Sequence, residues 1–197
     1  MARKHKTALT ALFLLFFYLF PSPLSAGPPT DQIRATLNKV IAILNDPQLK
    51  TQGRKKERRK KLQQVIYPRF DFTEMAKRSL GRYWRRLTPA EREEFVHLFT
   101  DLLERSYLNN IEAYNNEKFV FVRERRDGNY AEVESRILTS KGEEFSVNYK
   151  ALSVNGEWKI YDIVAENISL VNNYRSQFNR IITKFSYQEL TRRIREK

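Results

Sequence analysis

The stretch EKFVFVRERRDGNYAEVESRILTSKGEEFSVNYKALSVNGEWKIYDIVAE, residues 117–166, decides the fold of this chain. It is divided at regular intervals by three glycine-containing dipeptides: Asp127-Gly128, Lys141-Gly142 and Asn155-Gly156. Asp-Gly and Asn-Gly favour tight β-hairpin turns, and the segments between them are rich in strand-forming residues. The pattern predicts an antiparallel meander of four strands, near residues 117–126, 129–140, 143–154 and 157–166.

Helical periodicity flanks this stretch on both sides. The predicted helices lie at about residues 30–45, from Arg54, at 71–80, from Thr88, at 170–184 and from Ser186. The longest begins at Thr88, where Thr88 and Glu91 form a capping-box pattern and Pro89 occupies the first helical position. Together these elements predict an α+β fold: a curved four-stranded antiparallel sheet with a helical layer on one face, in the manner of a cone with an apolar interior.

The first twenty-six residues have the pattern of a secretory signal peptide. Basic residues at 3, 4 and 6 precede an apolar run over residues 8–20, and Ala26 is a suitable small residue at the cleavage site. The run is shorter than the about 20 residues of a typical membrane-spanning helix, although an uncleaved anchor is the alternative. We therefore expect residues 1–26 to be a leader and residues 27–197 to be one soluble, exported domain.

The chain is strongly basic, with 36 Lys and Arg against 23 Asp and Glu, and a formal net charge of +13. An exported protein does not meet nucleic acid, so the charge favours anionic lipid headgroups or acidic protein surfaces as partners. The basic run at residues 54–61 is either a solvated helix face or a docking patch for such partners. There are no cysteines, so the fold has no disulfides.

Enzymatic signatures are absent from the sequence. It has no cysteine nucleophile, GxSxG elbow, HExxH cluster or glycine-rich phosphate loop. His97 is the one histidine beyond the leader, and we expect it at the surface rather than in catalysis. These features predict a protein that is not an enzyme and has no metal or cofactor.

The segment WKIYDIVAENISLVNNYRSQF, residues 158–178, and three earlier pieces resemble the MlaC or toluene-tolerance (Ttg2-type) family of periplasmic phospholipid-binding proteins. The earlier pieces are YPRFDF at 67–72, LGRYW at 80–84 ahead of LTP at 87–89, and residues 95–103 leading to Tyr107. They follow the family's order over nearly all of residues 27–197. One departure is the family's usual Glu-Gly-Val-Ser, which is here Glu166-Asn-Ile-Ser169.

The resemblance implies an NTF2-like cone around an apolar pocket and a periplasmic carrier of phospholipid. It implies exchange with an outer-membrane lipoprotein complex and with an inner-membrane ABC transporter that has an MCE-domain protein. We expect a monomer that contacts membranes transiently and has no nucleic-acid partner. Two alternatives stay open: a carrier of hopanoids or other polycyclic lipids, and an envelope interaction protein without a ligand.

Apolar and aromatic side chains of the helices and sheet are the predicted lipid-binding residues, each of which could equally be ordinary core. They are Phe72, Leu80, Trp84, Phe99, Leu103, Tyr107, Val147, Tyr149, Tyr161, Ile163, Val171 and Tyr174. We also include Arg175, which either pairs with Asp162 at the pocket mouth or binds a lipid phosphate through its guanidinium.

Overall fold

The structure, a computed structural model, describes residues 28–196; the predicted signal peptide lies outside the described residues. The helices are α1 (Pro29–Asn45), α2 (Lys55–Ile66), α3 (Phe72–Leu80), α4 (Pro89–Glu112), α5 (Leu170–Lys184) and α6 (Tyr187–Glu196). The strands are β1 (Lys118–Asp127), β2 (Tyr130–Leu138), β3 (Glu144–Val154), β4 (Glu157–Ala165) and β5 (Ile168–Ser169). No helix among these residues has the length and apolar character needed to cross a bilayer.

The sheet has the strand order β1-β2-β3-β4-β5, and neighbouring strands are antiparallel. The predicted meander is confirmed, with strand limits close to the expected ones. Asn155 and Gly156 both have positive φ, 50° and 82°, as the hairpin between β3 and β4 requires. The sheet has one strand more than predicted, because β5 is only two residues long and therefore has no visible periodicity.

The start of α4 follows the sequence pattern closely. Thr88 Oγ1 accepts a hydrogen bond from the Glu91 backbone N–H, while the Glu91 carboxylate accepts one from the Thr88 backbone N–H at 2.8 Å. These bonds satisfy two donors that would otherwise be unpaired at the helix N-terminus. Pro89 occupies the first turn, where its missing N–H costs nothing.

Buried side chains form several apolar clusters, and two of them contain most of the predicted lipid-binding residues. The helical cluster joins α3, α4, α5 and α6, and its buried members include Met75, Leu80, Phe95, Phe99, Leu103, Val171, Tyr174, Phe178, Leu190 and Ile194. The sheet cluster joins α1 to the sheet through Ile33, Val133, Tyr149 and Ile160. Phe70, half-buried, packs against both clusters and therefore marks their junction.

Candidate functional site

The predicted lipid-binding residues divide between the two clusters. Leu80, Phe99, Leu103, Val171 and Tyr174 are buried members of the helical cluster, and Phe72, Trp84 and Tyr161 pack against it half-buried. Tyr149 is a buried member of the sheet cluster, with Val147 and Ile163 half-buried beside it. The structure thus brings eleven of the thirteen predicted residues into two apolar clusters, and Tyr107 and Arg175 belong to neither.

Aromatic rings pack tightly within the helical cluster. The rings of Phe99 and Tyr174 meet edge to face at 5.2 Å between centroids, and Phe99 also contacts Phe95 and Phe178. Phe95 and Phe99 are fully buried. Edge-to-face and offset contacts of this kind stabilise a core beyond the burial of area alone. The sequence prediction did not include Phe95 and Phe178, although both lie on the apolar stripes of their helices.

A short aromatic segment lies at the junction between the two clusters. We call Tyr67, Phe70 and Phe72 the aromatic seam: the rings of Phe70 and Phe72 stack at 5.7 Å, and Tyr67 meets Phe72 at 5.1 Å. Phe70 forms a parallel bridge with Ile160 of β4, and the next residue donates its backbone N–H to the Ile160 carbonyl at 2.8 Å. Sequence reasoning missed Phe70 because it lies between helices, where no periodicity identifies a buried face.

Polar groups on α4 border the same region. The Tyr67 hydroxyl donates to the Glu104 carboxylate at 2.5 Å, and burial together with this hydrogen bond raises the pKa of Tyr67. Tyr107 lies one turn further along α4 and is 37% exposed. Burial, followed by its interaction with Tyr174, raises the pKa of Tyr107 to about 12. Both phenols therefore stay protonated at neutral pH and can donate hydrogen bonds.

Tyr161 packs against the helical cluster, whereas Ile160 and Ile163 contact the sheet cluster. The β3–β4 register is irregular at this point: Lys150 pairs with Asp162, and Ala151 pairs with Ile160. Tyr161 therefore has no partner on β3, and the bulge changes the direction of its side chain relative to Ile163. The guanidinium of Arg78 lies 4.1 Å from the centre of the Tyr161 ring.

The expected pair of Asp162 and Arg175 does not form. The buried Asp162 carboxylate accepts hydrogen bonds from Ser169 Oγ at 2.7 Å and from the Val171 backbone N–H at 3.0 Å. Asp162 therefore fixes the start of α5 to β4. Arg175 is exposed, outside both clusters, and lies against Gly81 in a cleft of about 410 Å³.

The basic run at residues 54–61 is partly structural. Arg58 and Arg59 form ion pairs with the Glu112 carboxylate at 2.9 and 2.7 Å, and the Glu112 side chain is only 7% exposed. Burial raises the pKa of Glu112, but the hydrogen bonds from Arg59 and Arg58 outweigh it and hold that pKa below its usual range. These two arginines thus tie α2 to the end of α4, and a docking patch here would be limited to the exposed lysines of α2.

The fold and the paired apolar clusters define an α+β protein whose helical layer and antiparallel sheet meet along an aromatic seam. Within the described residues, no group of three or more acidic or histidine side chains is placed to hold a metal ion, and His97 is exposed. The chain belongs to the MlaC family: the family model described as MlaC protein matches residues 34–196.

Two curated relatives and a solved structure are similar to this chain. The intermembrane phospholipid transport system binding protein MlaC of Haemophilus influenzae is 26% identical over 110 residues, which cover 53% of this chain and 51% of that protein. The chain thus spans about half the length of that relative. Toluene tolerance protein Ttg2D of Pseudomonas putida is 24% identical over 156 residues, covering 78% of this chain and 73% of the relative.

The solved structure is a phospholipid-binding protein from Ralstonia solanacearum in complex with a phospholipid. It superposes with a TM-score of 0.76 and is 26% identical in sequence. The match covers 86% of this chain and 96% of that chain. The predicted family and the predicted α+β fold class are both confirmed.

Proposed function

We propose that this protein binds a glycerophospholipid and carries it through the periplasm as the carrier component of an Mla-type transport system. Its partners in this proposal are an outer-membrane lipoprotein complex and an inner-membrane ABC transporter with an MCE-domain protein. The observation that supports it most is the match to the Ralstonia protein, which is in complex with a phospholipid, over 86% of this chain. The protein acts as a monomer, without covalent chemistry or a cofactor.

A phospholipid carrier must offset the cost of exposing acyl chains to water. At about 0.8 kcal/mol per methylene, two chains of about 15 methylenes represent on the order of 20 kcal/mol. Only a dry apolar site can offset that cost. The two apolar clusters supply side chains suited to such a site, with half-buried Val147 and Ile163 in the sheet cluster and Phe72 beside the helical cluster.

We place the acyl chains between the helical cluster and the sheet cluster, along the aromatic seam. The residues proposed to contact the lipid are those predicted from the sequence, apart from Arg175, together with Phe70. Because Phe70 contacts both clusters, the two layers must separate at Phe70 for a lipid to enter. Arg175 lies outside this region, so we assign it no contact with the acyl chains.

The direct test is native mass spectrometry of the protein, purified without detergent, followed by extraction and identification of bound lipid. We expect an added mass that resolves into diacyl phospholipids. Polycyclic lipids in the extract would redirect the proposal to hopanoid transport. Bare polypeptide that phospholipid vesicles also fail to load would contradict the carrier function and favour an interaction protein. Cell fractionation tests the periplasmic location independently.

A further inference from the structure

The described residues include arginines with and without a carboxylate partner. Those that form ion pairs with carboxylates are Arg34, Arg54, Arg58, Arg59, Arg78, Arg125, Arg126, Arg136, Arg192, Arg193 and Arg195. Nine arginines of residues 28–196 form no ion pair. Three of them, Arg69, Arg92 and Arg105, donate to backbone carbonyls, and Arg123 is exposed on β1. The other five, Arg82, Arg85, Arg86, Arg175 and Arg180, lie on two adjacent elements, the 3₁₀ segment Gly81–Arg86 and α5.

Side-chain contacts hold the 3₁₀ segment along one face of α5. The Tyr83 hydroxyl and Thr183 Oγ1 are 3.0 Å apart, and Arg82 donates to Asn179 Oδ1 at 3.4 Å. Arg175 lies one turn before Asn179, so all the α5 residues in these contacts share a helix face with it. The cleft of about 410 Å³ is formed here, bordered by Gly81, Arg82, Tyr83, Arg175, Ser176 and Asn179 among others.

The guanidinium groups of this surface are available to an external ligand. Arg82 and Arg86 lie 5.1 and 5.8 Å from the centre of the Tyr83 ring, which holds them near the cleft. Arg175 is exposed and has no hydrogen bond within the described residues. We name Arg82, Tyr83, Arg85, Arg86 and Arg175 the arginine face. Of its arginines, Arg82 and Arg175 border the cleft, and Arg85 and Arg86 lie on the same 3₁₀ segment as Arg82.

An exposed aromatic residue follows the same helix. Phe185 is 52% exposed directly after α5, with the Lys184 ammonium 5.4 Å and the Arg193 guanidinium 4.8 Å from its ring centre. Aromatic rings flanked by cations are typical of surfaces that lie at the boundary between lipid headgroups and acyl chains. An acidic protein surface could be bound by the arginines alone. The exposed Phe185 ring therefore favours a bilayer as the partner.

We propose that the arginine face docks on the anionic headgroups of a glycerophospholipid bilayer, with Phe185 entering the interfacial region at its margin. The planar guanidinium group can form two parallel hydrogen bonds to phosphate oxygens, and a bilayer presents phosphates across its whole surface. Docking on a bilayer goes beyond the proposed function, because it concerns the outer surface of the protein rather than a lipid held inside it.

Vesicle co-sedimentation tests the proposal, with phosphatidylcholine vesicles compared with vesicles that also contain phosphatidylglycerol. We expect the unmodified protein to bind the anionic vesicles and to dissociate as salt is raised. The variant R82E/R86E/R175E should bind them at least about 10-fold more weakly, since each basic residue near an anionic surface adds to the attraction. F185S should weaken binding at salt concentrations that already screen the charges.

The matched control is K55E/K56E/K60E, which makes the same change in net charge on exposed lysines of α2 that form no ion pair within the described residues. It should bind within about 2-fold of the unmodified protein, because its lysines lie outside the docking surface. An equal loss in both triple variants, or no binding of the unmodified protein to anionic vesicles, would overturn the proposal. If the triple arginine variant does not fold, R86Q and R175Q carry the same test with smaller losses.

The same samples separate docking from lipid carriage. Native mass spectrometry should find identical bound lipid in the unmodified protein and in both triple variants. Loss of vesicle binding with cargo retained supports the arginine face as the docking surface. Absence of cargo from every sample would count against the proposed function and leave the vesicle result to decide docking.

Discussion

The guanidinium of Arg175 lies against the backbone of Gly81, so closely that a Cβ at residue 81 would meet Arg175 Nε at 2.8 Å. Gly81 ends α3 with φ 56° and ψ −123°, a conformation that strains any residue with a side chain. This glycine therefore serves two purposes. It turns the chain out of α3, and it lets the 3₁₀ segment approach the face of α5 that holds Arg175.

Replacing Gly81 with alanine should destabilise the protein by about 1–3 kcal/mol, because the substitution adds backbone strain and displaces Arg175. Urea unfolding followed by circular dichroism measures the change. G53A is the matched control, since a Cβ added at Gly53 would meet no atom within 4 Å and the φ of Gly53 is not positive. If G81A and G53A have equal free energies of unfolding, residue 81 accepts a side chain without strain and the prediction is wrong.

The Glu112 ion pairs should make stability depend on pH. E112Q removes a buried carboxylate shared by Arg58 and Arg59, and we expect a loss of about 1–3 kcal/mol at neutral pH. The pKa of Glu112 is lowered in the fold, so its stabilisation is present above the unfolded value of about 4.3 and is lost as the pH falls through the lowered folded value. Urea unfolding at a series of pH values should therefore show that the free energies of unfolding of the unmodified protein and E112Q begin to converge below about pH 4.3.

Glu57 provides the control for that measurement, because it is on α2 and its ion pairs with Arg54 and Lys61 are solvent-exposed. E57Q should leave stability nearly unchanged at every pH, since exposed pairs contribute little. If the difference in free energy of unfolding between the unmodified protein and E112Q stayed constant down to acid pH, the Glu112 charge would have no stabilising role.

Much of the fold could be predicted from the sequence because its local signals agree with each other. The glycine-containing turns set the strands of the sheet, and Thr88 with Pro89 set the start of the longest helix. What escaped prediction is non-local. The pairing of Arg58 with Glu112 joins residues 54 positions apart, so the basic run could not be divided into structural and free charges by inspection.

The candidate site was predictable to a smaller extent, for a related reason. Helical periodicity identified buried residues such as Phe99 and Tyr174, but it cannot tell which wall of a two-layer interior a residue faces. Tyr161 was predicted together with Ile163, and the irregular β3–β4 register turns it to the helical cluster instead. Phe70 was missed because the segment between α2 and α3 has no period.

A bulky substitution between the two layers should block the proposed lipid site. Val147 is half-buried beside the sheet cluster, and V147W would add a large ring where the acyl chains are proposed to lie. We expect lipid occupancy, measured by native mass spectrometry, to fall several-fold while circular dichroism stays unchanged. V154W is the control, because Val154 is 37% exposed and has the opposite strand parity to Val147 on β3. Equal occupancy in the two variants would place the lipid elsewhere.

The turn between β4 and β5 offers a test of backbone strain. Glu166 and Asn167 both have positive φ, 48° and 62°. Asparagine tolerates this left-handed conformation better than most residues, because its side chain bonds locally, but glycine adopts it without a steric cost. Stability should therefore rank N167G equal to or above the unmodified protein, with N167A about 1 kcal/mol below it. Thermal or urea unfolding of the three proteins measures the order, and an N167A variant as stable as N167G would mean that the turn relaxes out of the left-handed conformation at little cost.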